Sequence, residues 1–246
     1  MGEVFLAKDN RLNRFVAIKQ IKRQNVLSGD KKLHTVLAQN EAHALAKVNH
    51  SNIVQIYDIY ESAAQVSLIL EYVEGQTLWQ YQNENVLNLT EKLALIHQIS
   101  LGLAAAHKEG VTHCDLKFSN VLIDKDRNAK ITDFGIAKLL DVEGGHDLGT
   151  SVSNLNALAP EQMSGQTVDY RADLYALGAL AFQLIAGRHP FGIGTPDEIR
   201  ENIRKGHIEN AENILPSVPR ELAAILNQLL ELAPKNRPQS TQQVAE

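Results

Sequence analysis

Residues 113–135 limit what this chain can become more than any other stretch, because they set two carboxylates and an amide around one short hairpin. The order is His113-Cys114-Asp115-Leu116-Lys117-Phe118-Ser119-Asn120, then Val121-Leu122-Ile123, a polar turn Asp124-Lys125-Asp126-Arg127-Asn128, Ala129-Lys130-Ile131-Thr132, and finally Asp133-Phe134-Gly135. Two runs rich in β-branched residues, split by Asp, Asn and charged side chains, predict an antiparallel hairpin. Asn120 precedes its first strand and Asp133 follows its second, so both emerge at the open end, where facing Cα atoms lie roughly 5 Å apart. An amide oxygen and a carboxylate at that separation are hard ligands suited to Mg²⁺, which usually completes its shell with water and phosphate oxygens. Asp115, on the loop leading in, is free to accept a proton. The plainer reading of the same residues is a surface hairpin.

His113-x-Asp115-Leu116-Lys117-x-x-Asn120 followed by Asp133-Phe134-Gly135 resembles the catalytic and metal-binding loops of the eukaryotic-type protein kinases. That resemblance implies an α+β fold of two lobes, with residues 1–74 forming an incomplete small, β-rich lobe with one helix and residues 75–246 a large, mostly helical one. It also implies ATP and Mg²⁺ as cofactors, Asn120 and Asp133 as the metal ligands, and Asp115 as the group that orients a substrate hydroxyl and takes its proton. Lys117, two residues after Asp115, is the type found in serine/threonine rather than tyrosine kinases. The expected substrate is therefore a Ser or Thr hydroxyl on a protein.

Bulk composition narrows the alternatives. A chain of 246 residues is long enough for one large domain or two closely packed lobes. The net charge of −5 leaves no basic footprint for nucleic acid. A single cysteine, Cys114, excludes an internal disulfide and fits a reducing compartment. No charged-then-apolar leader opens the sequence, and the expectation is a cytoplasmic protein. The longest apolar run, Ala172 to Gly187, carries Asp173 and Gln183 and falls short of the roughly 20 residues a membrane span needs.

Taken in order, Val4 to Ala7 and Phe15 to Ile21 read as strands joined by a polar turn from Lys8 to Arg14. Side chains alternate faces, so Lys19 shares a row with Ala17 and Ile21. Such a lysine either snorkels to water or meets a carboxylate and a phosphate. Val16-Ala17-Ile18-Lys19 resembles the kinase motif that carries the phosphate-orienting lysine. Helical spacing of Leu33, Leu37, Ala44, Leu45 and Val48 predicts a helix over about 30–47, with Glu41 in its apolar stripe. An inward carboxylate is costly unless paired, and Lys19 is the partner the resemblance implies; the alternative is a Glu at the solvent edge. Ile53 to Tyr57 and Val66 to Leu70 read as further strands. At Glu71-Tyr72-Val73-Glu74-Gly75 the composition turns loop-like. By resemblance the backbone of Glu71 and Val73 meets adenine beside Leu70, while Val4, Ala17 and Leu122 enclose the ring. A plain core would use those apolar residues equally well.

Asn88-x-x-Glu91 is a capping-box pattern opening a helix to about His107, with Gly110 ending it. Ala159-Pro160-Glu161 resembles the close of a kinase activation segment. Asp173, in the apolar helix 169–187, matches the family aspartate that steadies the catalytic loop, and Arg237 matches the arginine that pairs with Glu161. Thr195-Pro196 marks another helix start, and 220–232 is amphipathic. Glu161, Arg237 and Asp173 separate this pattern from small-molecule kinases of related fold, and Ala-Pro-Glu-Gln with compact loops resembles the bacterial branch.

Four departures accompany the match. Met1-Gly2-Glu3-Val4 resembles only the tail of Gly-x-Gly-x-x-Gly-x-Val, with Gly2 as the remaining nucleotide-facing glycine; a piece of a longer protein and a natural shortening both account for it. Cys114 stands where most members carry an arginine that receives an activation-loop phosphate. Asn154 takes the place of a threonine that bonds the catalytic Asp and Lys. Ser153 and Ala157 replace a Gly and a Tyr of the substrate-facing loop. The rival function is a pseudokinase, a regulatory binding module with a degraded glycine-rich loop.

Overall fold

Apolar and β-branched residues along 3–22 and 56–71 build a four-stranded antiparallel sheet, with a strict period-two alternation of burial over 65–71. The computed structural model describes residues 3–22, 44–62, 65–134, 158–192, 194–206 and 218–245. The sheet comprises β1 (Glu3–Asp9), β2 (Arg14–Lys22), β3 (Ile56–Glu61) and β4 (Gln65–Glu71), in the order β1-β2-β4-β3. Both strands of the first pair run longer than the sequence reading, so the connection is only residues 10–13. Directly opposed residues share a face. Val4 pairs with Lys19 and Lys19 with Leu68, while Leu6 pairs with Ala17 and Ala17 with Leu70. One side of the sheet therefore carries Val4, Ala17, Lys19 and Leu70 together.

The strand expected at 53–57 starts at Ile56 instead. Its first residues are drawn off by other partners: Val54 N–H donates to Ile131 O (2.9 Å), Ile131 N–H to Asn52 O (2.8 Å), and Glu71 N–H to Gln55 O (2.8 Å). The two bonds to Ile131 fasten the small sheet to a second one, made of β5 (Gly75–Thr77), β6 (Val121–Asp124) and β7 (Ala129–Ile131) in that order. The hairpin at 121–131 is thus present, with Thr132 just outside it and β5 as a third strand that begins at Gly75, where the sequence reading ended its loop-like stretch.

Helices make up most of the remainder. α1 (Leu78–Glu84) follows β5 directly, and α2 (Leu89–Lys108) opens with the expected reciprocal cap: Asn88 accepts from Glu91 N–H and Glu91 from Asn88 N–H, both at 3.0 Å. Gly110, at φ +74°, turns the chain out of α2 toward the loop at 113–117. A short α3 (Pro160–Met163) precedes α4 (Arg171–Ala186), which is buried on nearly all sides and ends at Gly187 in the left-handed conformation. α5 (Pro196–Lys205) is capped by Thr195, α6 (Arg220–Leu229) packs on α4, and α7 (Gln242–Ala245) closes the described chain. The core runs without a break from Leu68 and Leu70 through Ile99 and Ile131 to Leu177 and Leu226. Among the described residues no helix is long and apolar enough to cross a membrane. Of the helix expected over 30–47 only the last turn, 44–47, is described, with Leu45 buried.

Candidate active site

The loop between α2 and β6 is held from beneath by Asp173. This fully buried carboxylate in the first turn of α4 accepts from His113 N–H (2.6 Å) and Cys114 N–H (2.8 Å). His107, at the end of α2, meets the same carboxylate through Nε2 at 2.8 Å and Thr241 Oγ1 through Nδ1 at 2.8 Å. Nothing in the periodicity of α2 singles out His107, which a sequence reading takes as part of the helix end.

His113 sits at the centre of the loop. Its Nδ1 accepts from Asp115 N–H (3.1 Å), so the proton is on Nε2, which donates to Thr132 O at 3.0 Å. Complete burial pushes its pKa below the usual histidine value, against smaller opposing effects led by Asp173, and the ring is neutral. It also packs against Phe134, with ring centroids 4.6 Å apart. One side chain thereby ties the Asp115 loop to the residues on either side of Asp133.

Around Asp115 the expected side chains converge. Lys117 Nζ lies 3.0 Å from Asp115 Oδ2, and Asn120 Nδ2 donates to Asp115 O (2.8 Å) and Oδ2 (3.1 Å). Asn120 stands in a 3₁₀ turn, Phe118–Asn120, whose carbonyl accepts from Thr132 N–H at 2.9 Å. Asp133 follows at once, in a left-handed conformation (φ +62°), and its Oδ1 is 2.7 Å from Lys19 Nζ. Lys19 and Asp133 thus form one group, Asp115, Lys117 and Asn120 another, with Thr132 between them. Glu41 and Gly2 lie outside the described residues, as do Asn154, Ser153 and Ala157, so the expected Lys19–Glu41 pair belongs to that undescribed part.

The same geometry bears on what the site can hold. Asn120 turns its Nδ2 to Asp115, which leaves Oδ1 as the end a cation would take. Among the described residues no group of three or more His, Cys, Asp or Glu converges. A cation here would draw one amide oxygen and one carboxylate from the protein and the rest from water and phosphates, the pattern Mg²⁺ accepts. For a base, the sheet face carrying Val4, Ala17 and Leu70 offers apolar surface, with Val4 still 62% exposed and Leu70 buried. Val73 and Leu122 are partly buried against the core. Glu71 uses its carboxylate to hold Lys130 (2.9 Å) and Gln55 N–H (3.2 Å), and its own N–H donates to Gln55 O (2.8 Å), which leaves its carbonyl as the polar group to meet a ligand.

The chain matches the protein kinase domain family over residues 1–246. It belongs to that family. This kinase domain is 34% identical to the probable serine/threonine-protein kinase PknB of Lactococcus lactis over 96% of its own length and 38% of the relative's. It is likewise 34% identical to the serine/threonine-protein kinase pkn2 of Myxococcus xanthus, over 100% of the chain and 30% of that protein. The serine/threonine-protein kinase PrkC of Bacillus subtilis shows 35% identity over 92% of the chain and 35% of the relative. The domain thus spans about a third of the length of these curated relatives. Family membership carries a general use of ATP with a divalent metal. The distal motif is also in place in the kinase domain: Arg237 grips Glu161 through two bonds, NH1–Oε1 at 2.6 Å and NH2–Oε2 at 2.8 Å.

Proposed function

We propose that this domain transfers the γ-phosphate of ATP to Ser and Thr hydroxyls of proteins, with Mg²⁺ as the metal. The observation that supports this most is the approach of Lys117 and Asn120 to one carboxylate, Asp115, next to a second carboxylate, Asp133, on the neighbouring loop. Bound MgATP supplies the phosphoryl group and the divalent charge that offsets its oxygens. Asp115 accepts the hydroxyl proton while the substrate oxygen bonds to the γ-phosphorus and the bond to the ADP oxygen breaks. Lys117 places a positive charge beside that carboxylate and the incoming phosphoryl oxygens. Asn120 Oδ1 and the Asp133 carboxylate hold the cation, and Lys19 orients the α- and β-phosphates. Val4, Ala17, Leu70 and Leu122 cover the base, and the backbone of Glu71 and Val73 reads its edge. Gly2 and Glu41 keep the nucleotide-covering and lysine-pairing roles that the family resemblance gives them. Residues 1–74 form the small lobe and 75–246 the large one. A cytoplasmic setting goes with this reading, since ATP is plentiful there and a lone thiol such as Cys114 stays reduced.

Incubation with γ-labelled ATP, Mg²⁺ and a mixed protein substrate tests the proposal. Label is expected on phosphoserine and phosphothreonine, and Asp115→Asn should lower the rate by a factor on the order of 10²–10⁴, the range for a positioned general base. Label on tyrosine or on small molecules alone overturns it. ATP-dependent thermal stabilisation without any transfer identifies a nucleotide-binding regulatory module instead.

A further inference from the structure

Asp115 owes its direction to the peptide plane that precedes it, and that plane is gripped at both ends. Its N–H, which belongs to Asp115, donates to His113 Nδ1 at 3.1 Å. Its carbonyl, which belongs to Cys114, accepts from Gln162 Nε2 at 3.0 Å. The grip has work to do, because Cys114 is a non-glycine residue at φ +60°, a left-handed conformation that an L side chain disfavours. Asp173 secures the other side of Cys114 by accepting its N–H. Gln162 has a second bond: its Oε1 accepts from Ala159 N–H at 2.9 Å, which caps α3. One residue away, Glu161 is locked onto buried Arg237, so Gln162 reaches the Asp115 loop from a rooted base.

We propose that Gln162 is a positioning residue for Asp115, its amide N–H holding the Cys114–Asp115 peptide so that the carboxylate faces the substrate hydroxyl. The proposal rests on the kinase reading above for its consequence, though not for its geometry. It makes the aim of the general base depend on α3, an element from a distant part of the chain. Gln162 takes no proton and touches no reacting atom in this scheme.

The two bonds of Gln162 can be separated. Gln162→Glu keeps an oxygen for Ala159 N–H and adds a charge suited to the first turn of a helix, but it removes the donor and sets a carboxylate against the Cys114 carbonyl. Gln162→Met removes both bonds. If Gln162 positions Asp115, both variants should lose roughly three- to tenfold in kcat, the worth of one ordinary hydrogen bond, with KM for ATP unchanged within about twofold. Only Gln162→Met should also melt earlier. In parallel, hydrogen–deuterium exchange of the amides at 113–116 should speed up by at least about threefold in Gln162→Glu, while α4 and α6 exchange as before. If Gln162 merely caps α3, Gln162→Glu behaves as the unsubstituted chain in both kcat and exchange, and the proposal falls. A chain that transfers no phosphate but shows the faster exchange refutes the kinase reading and leaves the positioning contact standing; unchanged exchange refutes the contact whatever the activity.

Discussion

Lys19 Nζ lies 2.7 Å from Asp133 Oδ1, an ion pair that runs from β2 of the small sheet to the loop after β7. The lysine side chain is only 11% exposed and the carboxylate 36% exposed, so the pair sits at the edge of water rather than inside the core. Asp133 is also the carboxylate assigned to the cation in the proposed complex. A metal on Asp133 and phosphates on Lys19 would each replace the partner that the other now supplies. Asp133→Asn keeps shape and removes the charge, so Mg²⁺-dependent transfer should vanish while far-UV circular dichroism and the melting midpoint stay close to those of the parent. Lys19→Met should lose transfer as well, with weaker ATP-dependent stabilisation in a thermal-shift titration. Unchanged turnover in Asp133→Asn refutes the metal assignment.

Arg237 presents a second, deeper charge pair. All five guanidinium donors are used: two bonds to Glu161, and one each to the carbonyls of Glu231, Arg171 and Leu232. Its side chain is 0% exposed and that of Glu161 4% exposed, so neither charge can turn to water if the other is removed. Glu161→Ala or Arg237→Ala should therefore cost about 3–5 kcal/mol, the usual penalty for orphaning a buried charge. A urea titration measures this directly. The double substitution Glu161→Leu/Arg237→Met, with no charge left unpaired, should recover a good part of the loss.

Much of this architecture was readable from the residues alone, and the exceptions have physical reasons. The hairpin at 121–131, the cap at Asn88 and the Thr195-Pro196 helix start depend on local signals, namely β-branched runs and capping side chains, and each is present. Residues 53–55 misled because their apolar run looks like a strand, yet their hydrogen bonds go to β7 and to Glu71, partners far away in sequence. β5 was missed because Gly75-Gln76-Thr77 is only three residues long, Thr77 alone among them favours a strand, and the segment exists by pairing with β6. At the site, the resemblance of the motif singled out Asp115, Lys117 and Asn120, and their side chains do meet. The bonds of His107 and Gln162 were not readable, since both residues act through side chains on elements that meet only in the folded chain.

His113 should make stability depend on pH in a defined direction. Burial depresses its folded pKa below the ordinary value of 6.5, so the unfolded chain takes up a proton first as the pH falls. Above about pH 6.5 both states are neutral at this ring and its contribution is complete; below it, stability declines until the folded pKa is reached, with a slope of at most about 1.4 kcal/mol per pH unit. His50, whose pKa burial also lowers, acts in the same sense from a more exposed position. Urea midpoints measured from pH 7.5 down to 5.5 should fall, and His113→Gln should flatten the curve while lowering its plateau. An equal slope in the variant assigns the pH dependence elsewhere.

Gly102 is the position at which a stabilising helix substitution should fail. In an exposed helix interior Gly→Ala gains roughly 0.5–1 kcal/mol. Here a Cβ on Gly102 would stand 2.8 Å from the carbonyl oxygen of Asn52 and 2.9 Å from Ile131 Cδ1. That carbonyl already accepts Ile131 N–H at 2.8 Å, and the Asn52 side chain donates to Ala129 O at 2.8 Å, so the obstructed backbone is the seam between the two sheets. Backbone cannot rotate aside as a side chain can, so α2 must shift as a unit or the seam must open. Gly102→Ala should be destabilising by about 1–3 kcal/mol, the range for overpacking a core. Because the seam carries the β7 strand that leads into Asp133, transfer should fall further than the stability loss alone explains. Chemical denaturation read beside initial rates under fully folded conditions separates the two effects, and a substitution that stabilises the chain contradicts the close approach of α2 to residue 52.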